Sequence, residues 1–379
     1  MAYDAIVVGA RCAGAATAML LARSGLDVLL VDRARFPSDI PHGHFIHRDG
    51  PSRLQEWGLL DEVLATGCPS ITSYVEDLGD SFALRGDDLS VDGVPVGLGP
   101  RRAALDAVLV NAAVDAGAEL REGLAVERLT FHDGRATGIQ AVSGARERAR
   151  VVIGADGRNS RIAKQVAAPV YEDVGTLTCW YFSYWSGVQG EALELYLCDG
   201  RVVFAFPSND ELFAVFVSWP IEQLQSVRRD LERHMYLAIG AIPSLGERVR
   251  AGTREERIYG ATSLPNFLRQ PFGEGWALVG DAGCHKDPYL ALGICDAFRD
   301  AELLAEALKE ALSGARPEQE ALTEYERRRN AATQPEYEKN VLLASGQPVP
   351  PDVLARRAEV RGDSEATRAY FLESEERLG

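Results

Sequence analysis

The sequence predicts an α/β protein: a doubly wound parallel sheet, an antiparallel sheet inserted into it, and a helical segment at the C-terminal end. Three observations carry that expectation. Residues 4–32 read as an apolar strand, a glycine turn, an Ala/Leu-rich helix and a second apolar strand, the order a nucleotide fold requires. Residues 151–160 and 277–282 each end an apolar strand in glycine and aspartate, at the end of a strand from which a parallel sheet contacts ligands. Between them, residues 176–218 alternate aromatic strands with turns at Gly187, Asp199-Gly200 and Asn209-Asp210, as an antiparallel sheet does.

Each element follows in order. The strand at residues 4–8 leads into a helix over 13–24 and a strand over 26–31; helical periodicity returns at 50–67 and 102–116, with a more irregular stretch between. A hairpin-like block spans 119–153, broken at Asp133-Gly134, and its last strand, 149–153, is expected to rejoin the first sheet. A helix over 221–239, a strand at 276–279 and a long helix from Gly293 to Leu312 return the chain to the nucleotide domain. The charged amphipathic stretch 316–379 reads as a helical cap around Pro348-Val-Pro-Pro351. The expected domains are therefore 1–70 with 100–170 and 270–315 for the nucleotide, 71–99 with 171–269 for the substrate, and the 316–379 cap.

Composition narrows the partners. Forty basic against 56 acidic residues give a net charge of −16, which leaves no basic footprint for nucleic acid and disfavours an anionic membrane surface. The N-terminus has no basic leader, and the longest uncharged run, 174–190, is shorter than a spanning helix. The six cysteines lie far apart without a CxxC pair, which suits a reducing compartment. A cytoplasmic enzyme for small molecules is the expectation, with its oligomeric state open.

Gly9-Ala-Arg-Cys-Ala-Gly14 stands where a G-x-G-x-x-G fingerprint belongs. Gly9 permits the tight turn, Gly14 the close packing of helix on strand, and the backbone through Cys12 and Ala13 offers N–H groups to a pyrophosphate. Arg11 replaces the middle glycine, and its cation can itself pair with phosphates. Asp32 closes the second strand eighteen residues after Gly14, where a carboxylate accepts ribose hydroxyls. Arg33 and Arg35 are further cation candidates for phosphates.

With Asp156-Gly157 and Gly280-Asp281 following in order, the chain resembles the FAD-dependent family of p-hydroxybenzoate hydroxylase, whose signatures are the glycine fingerprint, a DG motif and a GD motif. The resemblance covers most of residues 1–340. It implies that FAD is the cofactor, with Asp32 on the adenosine ribose, Arg102 near the ribityl-phosphate chain, Asp156 and Gly157 shared by FAD and nicotinamide, and Asp281 on the ribityl. Gly293 and Ile294 would present the N-terminus of the next helix to the flavin ring, where its dipole stabilises negative charge. Departures fall in the loop before that helix: Ala291 and Cys295 replace usual residues, and Cys284 stands where a histidine is common, with His285 one place later. The segment 32–47 is similar to the branch containing geranylgeranyl reductases.

The aromatic stretch at 180–185 places Trp180, Phe182 and Tyr184 on one face of a strand. With Tyr196, Phe204 and Phe206 on neighbouring strands and Pro288 in the flavin loop, it is expected to line the substrate cavity. Tyr184 and His285 are the candidate catalytic side chains beside the flavin itself. His42, His44 and His47 have no carboxylate or cysteine at ligand spacing, so no metal is expected and the three belong to a loop over the FAD. The leading function is a monooxygenase that takes NADPH or NADH as a transient reductant and uses O2 to hydroxylate an aromatic or polyketide-like molecule. A reductase of a substrate C=C bond is the alternative. The W-x-W-x-I-P segment of flavin halogenases is absent from the sequence.

Overall fold

Continuous apolar runs build the first sheet. Tyr3–Val8 (β1) and Val28–Asp32 (β2) bury nearly every side chain, as parallel strands covered by helices on both faces must, and Cys12–Arg23 (α1) crosses between them. The computed structural model describes residues 2–376; Met1 and residues 377–379, the end of the expected cap, lie outside the described residues. Beyond β2 come Asp49–Glu56 (α2) and Leu60–Ala65 (α3), then the short strands Tyr74–Asp77 (β3) and Ala83–Gly86 (β4). Arg102–Asp115 (α4) precedes Glu119–Glu122 (β5), Val126–His132 (β6), Arg135–Ala141 (β7) and Arg146–Gly154 (β8). After Arg161–Gln165 (α5) follow Thr178–Ser186 (β9), Leu193–Cys198 (β10), Arg201–Pro207 (β11) and Phe213–Pro220 (β12).

The remaining elements are Leu224–Arg229 (α6), Leu231–Gly240 (α7), Pro243–Ala251 (α8), Trp276–Leu278 (β13), Gly293–Ser313 (α9), Glu318–Ala344 (α10), Pro351–Val360 (α11) and Ser364–Glu376 (α12). Strands β13, β8, β1, β2 and β5 pair parallel in that order, and β6 and β7 lead antiparallel into β8. The chain runs from β1 to β2 on one side and returns through β8 on the other. That switch at β1 opens a crevice beyond the strand ends.

The inserted sheet pairs β9, β12, β11 and β10 antiparallel, and β3 extends it parallel to β10, with β4 beyond. The stretch read as irregular thus supplies two of its strands. Register puts Phe182 opposite Phe216 and Phe216 opposite Phe204, so the three share a face. The other face carries α7 and α8, through Met235, Ile239, Leu245 and Val249.

Two helical expectations change. The helix expected over 221–239 is broken at Asp230, whose φ of −149° and ψ of 63° are not helical, and α8 starts afresh at Pro243, a residue suited to a helix's first turn. Residues 316–376 do not form one cap. Helix α10 packs along α9 on the first sheet, whereas α11 and α12 reach the inserted sheet, where Arg357, fully buried, pairs with Asp80 at 2.9 Å and with Glu76. The prolines at 348, 350 and 351 mark the break between the two groups: α10 ends before them at Ala344, and α11 starts at Pro351, in the first turn that proline suits. Among the described residues no helix is long and apolar enough to cross a membrane.

Candidate functional site

A cavity of about 810 Å³ runs from the crevice at β1 to the aromatic face of the inserted sheet. Its nucleotide end is shaped by glycine. Gly9 has φ +107°, and a Cβ there would lie 2.4 Å from the Ala155 carbonyl oxygen; on Gly14 it would lie 1.7 Å from the Gly9 oxygen. Helix α1 opens with no side-chain cap and no acid in its first turn, so its orphan N–H groups are left for an anion. Asp32 accepts from Ala10 N at 2.8 Å and from Ala34 N at 2.7 Å, which fixes its carboxylate at the wall with lone pairs to spare.

Arg11 does not extend into solvent. Its Nη1 lies 2.6 Å from Asp106 Oδ2, and Arg102 Nη2 lies 2.9 Å from Asp106 Oδ1. Two guanidiniums share one fully buried carboxylate, so these three side chains together carry one positive charge, with Asp281 acting on Arg102 as well. Cys12 completes the cluster, its Sγ 3.4 Å from Asp106 Oδ1, and burial pushes its thiol up to about 12. It remains a thiol rather than a thiolate.

Asp156 accepts from Ser160 Oγ and, at 2.7 Å, from Arg161 N, so it holds the start of α5 as well as the cavity wall. Gly280, with φ +59°, lets the turn after β13 press on α1, since a Cβ would lie 2.8 Å from that of Ala13. Asp281 follows it into the cavity beside Gly293 and Ile294 of α9. At Gly293 an added Cβ would meet nothing within 4 Å, leaving the helix backbone open to a ligand.

The other end is aromatic. Trp180, Phe182, Phe204, Phe206 and Phe216 line it, with Phe182 stacked on Phe216 at 4.4 Å and Phe206 on Phe216 at 5.6 Å. His44 enters this wall at 1% exposure. Burial, and then Arg101 and Arg102, push it down to about 3, so it is neutral. Its Nε2 is 2.9 Å from the Tyr184 hydroxyl, and the Arg101 guanidinium lies 4.2 Å over the Tyr184 ring.

A site of this make, with a capless helix beside the Arg11–Arg102 pair at one end and an aromatic chamber at the other, is that of a dinucleotide-binding protein with room for a planar ligand. Residues 2–338 match the FAD binding domain family, and the chain belongs to it, as a FAD-dependent oxidoreductase of the p-hydroxybenzoate hydroxylase-like superfamily. It is 27% identical over 333 residues to digeranylgeranylglycerophospholipid reductase 2 of Methanopyrus kandleri, covering 82% of this chain and 78% of that protein. Reductase 1 of Methanococcoides burtonii is 25% identical over 353 residues, 90% and 83% of the two chains. Among solved structures, the myxobacterial chondrochloren halogenase CndH superposes with a TM-score of 0.81 at 21% identity, over 98% of this chain and 92% of that one. P. aeruginosa PqsL in complex with 2-aminobenzoylacetate gives 0.77 at 22%, over 98% and 100%. At those identities the two structures speak for the fold alone.

The residues present fit FAD. The shared positive charge of Arg11 and Arg102 and the capless α1 suit a pyrophosphate, Asp32 a ribose, and the open backbone at Gly293 a flat ring. Of the residues expected at the cofactor, Gly9, Arg11, Cys12, Ala13, Asp32 and Arg33 line the cavity from one side, and Arg102, Asp156, Gly157, Asp281, Gly293 and Ile294 from others. Gly14 and Gly280 stand behind as packing positions, and Arg35 turns away to the loop at Gly123.

Of the expected substrate residues, Trp180, Phe182, Phe206 and Pro288 line the cavity. Tyr184 stands one layer back, behind His44. Tyr196 is a correction: it pairs with Val203, one step out of register with Phe204, so it faces α7 and α8 and its hydroxyl donates to Glu194 at 2.8 Å. His285 reaches the wall, but its Nδ1 is bonded to the Pro265 carbonyl and its ring stacks on Phe267 at 5.9 Å. Cys284 also lines the cavity, its thiol pushed up to about 12 by burial. Sequence reasoning missed Lys286, Asp287 and Asn340. Asn340 sits on α10, and nothing in the charged stretch that carries it marks it as a cavity residue.

Proposed function

We propose that this chain is a monooxygenase that uses NADPH or NADH and O2 to hydroxylate an aromatic or polyketide-like small molecule. The observation that carries the reading is the chamber of aromatic side chains continuous with the nucleotide crevice. It offers a planar substrate stacking contacts and excludes water from the reacting end. Bound FAD would supply the redox chemistry, accepting hydride from the nicotinamide and passing electrons to O2.

The chain's own residues do the rest. Asp32 accepts ribose hydroxyls, Arg11 and Arg102 neutralise the pyrophosphate, Asp281 holds the ribityl, and the first turn of α9 meets the ring. Asp156 and Gly157 border the path by which nicotinamide arrives, and it leaves after giving up its hydride. Neutral His44, its ring held by Tyr184 in the aromatic wall, exchanges a hydrogen bond with a substrate hydroxyl there.

A second reading, reduction of a substrate C=C bond, is favoured by the names of the reductases to which the chain is similar. Turnover under isotopically labelled O2, with a panel of planar hydroxyaromatics and a panel of polyprenyl compounds, separates the two. Hydroxylation gives a product heavier by one labelled oxygen. A product heavier by two hydrogens, with no label, replaces the first reading with the second.

A further inference from the structure

Five charged side chains meet where the loop before α9 touches α10. Lys286 Nζ lies 2.8 Å from Asp296 Oδ2 and 2.8 Å from Glu336 Oε2. Arg299 lies 2.9 Å from Asp296 Oδ1 and 3.1 Å from Asp300 Oδ1. The side chains are between 2% and 15% exposed, and both Lys286 and Asp296 line the cavity. Counted by themselves, these two cations and three carboxylates carry one negative charge in excess when all are ionised; burial pushes the Asp300 and Glu336 carboxyls up, against the pull of Arg299 on both, of Lys286 on Glu336 and of buried Arg329 on Asp300. Burial opposes the charge on Asp296, yet Lys286 and Arg299 outweigh it and hold the carboxyl below its usual range.

Asp296 stands in the first turn of α9, the turn whose Gly293 and Ile294 face the cavity. A helix N-terminus carries roughly half a positive charge, which an ionised carboxylate in the same turn offsets on the ligand side. Lys286 reaches across from the preceding loop and neutralises that carboxylate. In so poorly solvated a place one charge acts strongly on its neighbours.

We propose that Lys286 is a positioning residue that, by pairing with Asp296 and Glu336, sets the electrostatic potential at the start of α9 and with it the reduction potential of the bound flavin. The inference rests on the FAD-dependent reading of this cavity. Uptake of two electrons and one proton leaves the flavin ring one unit more negative, so reduced FAD feels the local charge more than oxidised FAD does. Lys286→Met leaves the cluster one charge more negative, Asp296→Asn one charge less negative, and the double variant restores the parent's count.

The test is the midpoint potential of the purified holoprotein, read by equilibrium reduction against a reference dye. Lys286→Met is expected to lower the preference for reduced over oxidised FAD about tenfold, a shift of about 30 mV to more negative potential for a two-electron couple. Asp296→Asn is expected to shift it to more positive potential, and the double variant to return to within about twofold of the parent's ratio. A purely structural role moves all three in one direction. Equal signs for the two single variants, or no shift in either, overturn the proposal. If Lys286→Met does not retain FAD, Glu336→Gln reads the same question: it removes one negative charge and keeps the Lys286–Asp296 pair, and a potential that fails to rise is again contrary. A parent protein that binds no flavin sinks the FAD reading, whereas flavin bound at unchanged potential throughout sinks only this inference.

Discussion

Trp180 donates its indole N–H to Asp287 at 3.0 Å, although 107 residues separate them. Thr178 donates to the other carboxylate oxygen at 2.6 Å, and Asp287 N donates to Asn266 at 2.7 Å. Burial pushes the Asp287 carboxyl up, and the Thr178 and Trp180 donors oppose that shift. One carboxylate thereby ties the aromatic wall of the inserted sheet to the loop that leads into α9. The substrate end and the flavin end of the cavity share this joint.

Asp287→Ala strands two buried donors, and an unsatisfied buried donor costs about 1–3 kcal/mol. Chemical denaturation of the FAD-saturated protein is expected to show a loss of about 2–6 kcal/mol. Asp287→Asn keeps one acceptor oxygen and loses less than half as much. Equal losses for the two variants would mean that the packing of the loop matters and the hydrogen bonds do not.

Asp32→Ala removes the carboxylate that accepts ribose hydroxyls and also the acceptor of Ala10 N and Ala34 N. A charge-assisted hydrogen bond contributes about 1.5–3 kcal/mol, so FAD affinity is expected to fall roughly ten- to hundredfold. Flavin fluorescence titration of the apoprotein measures it. Asp32→Asn, which still accepts from one backbone N–H, falls between. Unchanged affinity in both would remove Asp32 from the cofactor site.

His44 makes stability depend on pH in one direction. In the unfolded chain it takes up a proton near pH 6.5, whereas in the folded protein burial, with Arg101 and Arg102, holds it down to about 3. The unfolded state therefore binds more protons as pH falls through this window, and the stability present above about pH 6.5 is progressively lost toward pH 3. Urea denaturation from pH 4 to 6 is expected to show that His44→Gln removes a slope of about 1.4 kcal/mol per pH unit. Parallel pH profiles for the two proteins would mean that His44 is protonated when folded.

What the sequence revealed divides by sequence separation. The strand-turn-helix at residues 4–32 was legible because each step is local: glycine at the turn, apolar runs of strand length, an Ala/Leu helix. The two later Gly-Asp turns were legible for the same reason. Tyr196 was misplaced because facing depends on cross-strand register, and Cys198 pairing with Arg201 sets that register through the turn rather than through any pattern of hydrophobicity. Asp287 and Lys286 stayed hidden because their meaning lies in partners up to 109 residues away. Asn340 stayed hidden because a charged amphipathic stretch reads the same whether it covers a surface or closes a cavity. The two-way split of the C-terminal helices was foreshadowed by the proline cluster, though where each half docks was not.

Arg11 carries the last prediction, because its pairing with Asp106 at 2.6 Å alters what its removal does. In the parent, Arg11, Arg102 and Asp106 sum to one positive charge beside the open N-terminus of α1. Arg11→Ala takes that sum to zero, so FAD is expected to bind about tenfold more weakly, a loss of about 1.4 kcal/mol within the range of a charge-assisted contact. The affinity that remains should depend less on salt, since one screened attraction is gone. Riboflavin, which has no phosphate, should bind parent and variant alike. Asp106→Asn raises the sum to two, so FAD binding should become more salt-dependent, while the apoprotein loses stability because buried Arg102 and half-buried Arg11 lose the negative charge they share. Should Arg11→Ala weaken riboflavin as much as FAD, the residue supports the shape of the turn at α1 and its charge is spent wholly on Asp106.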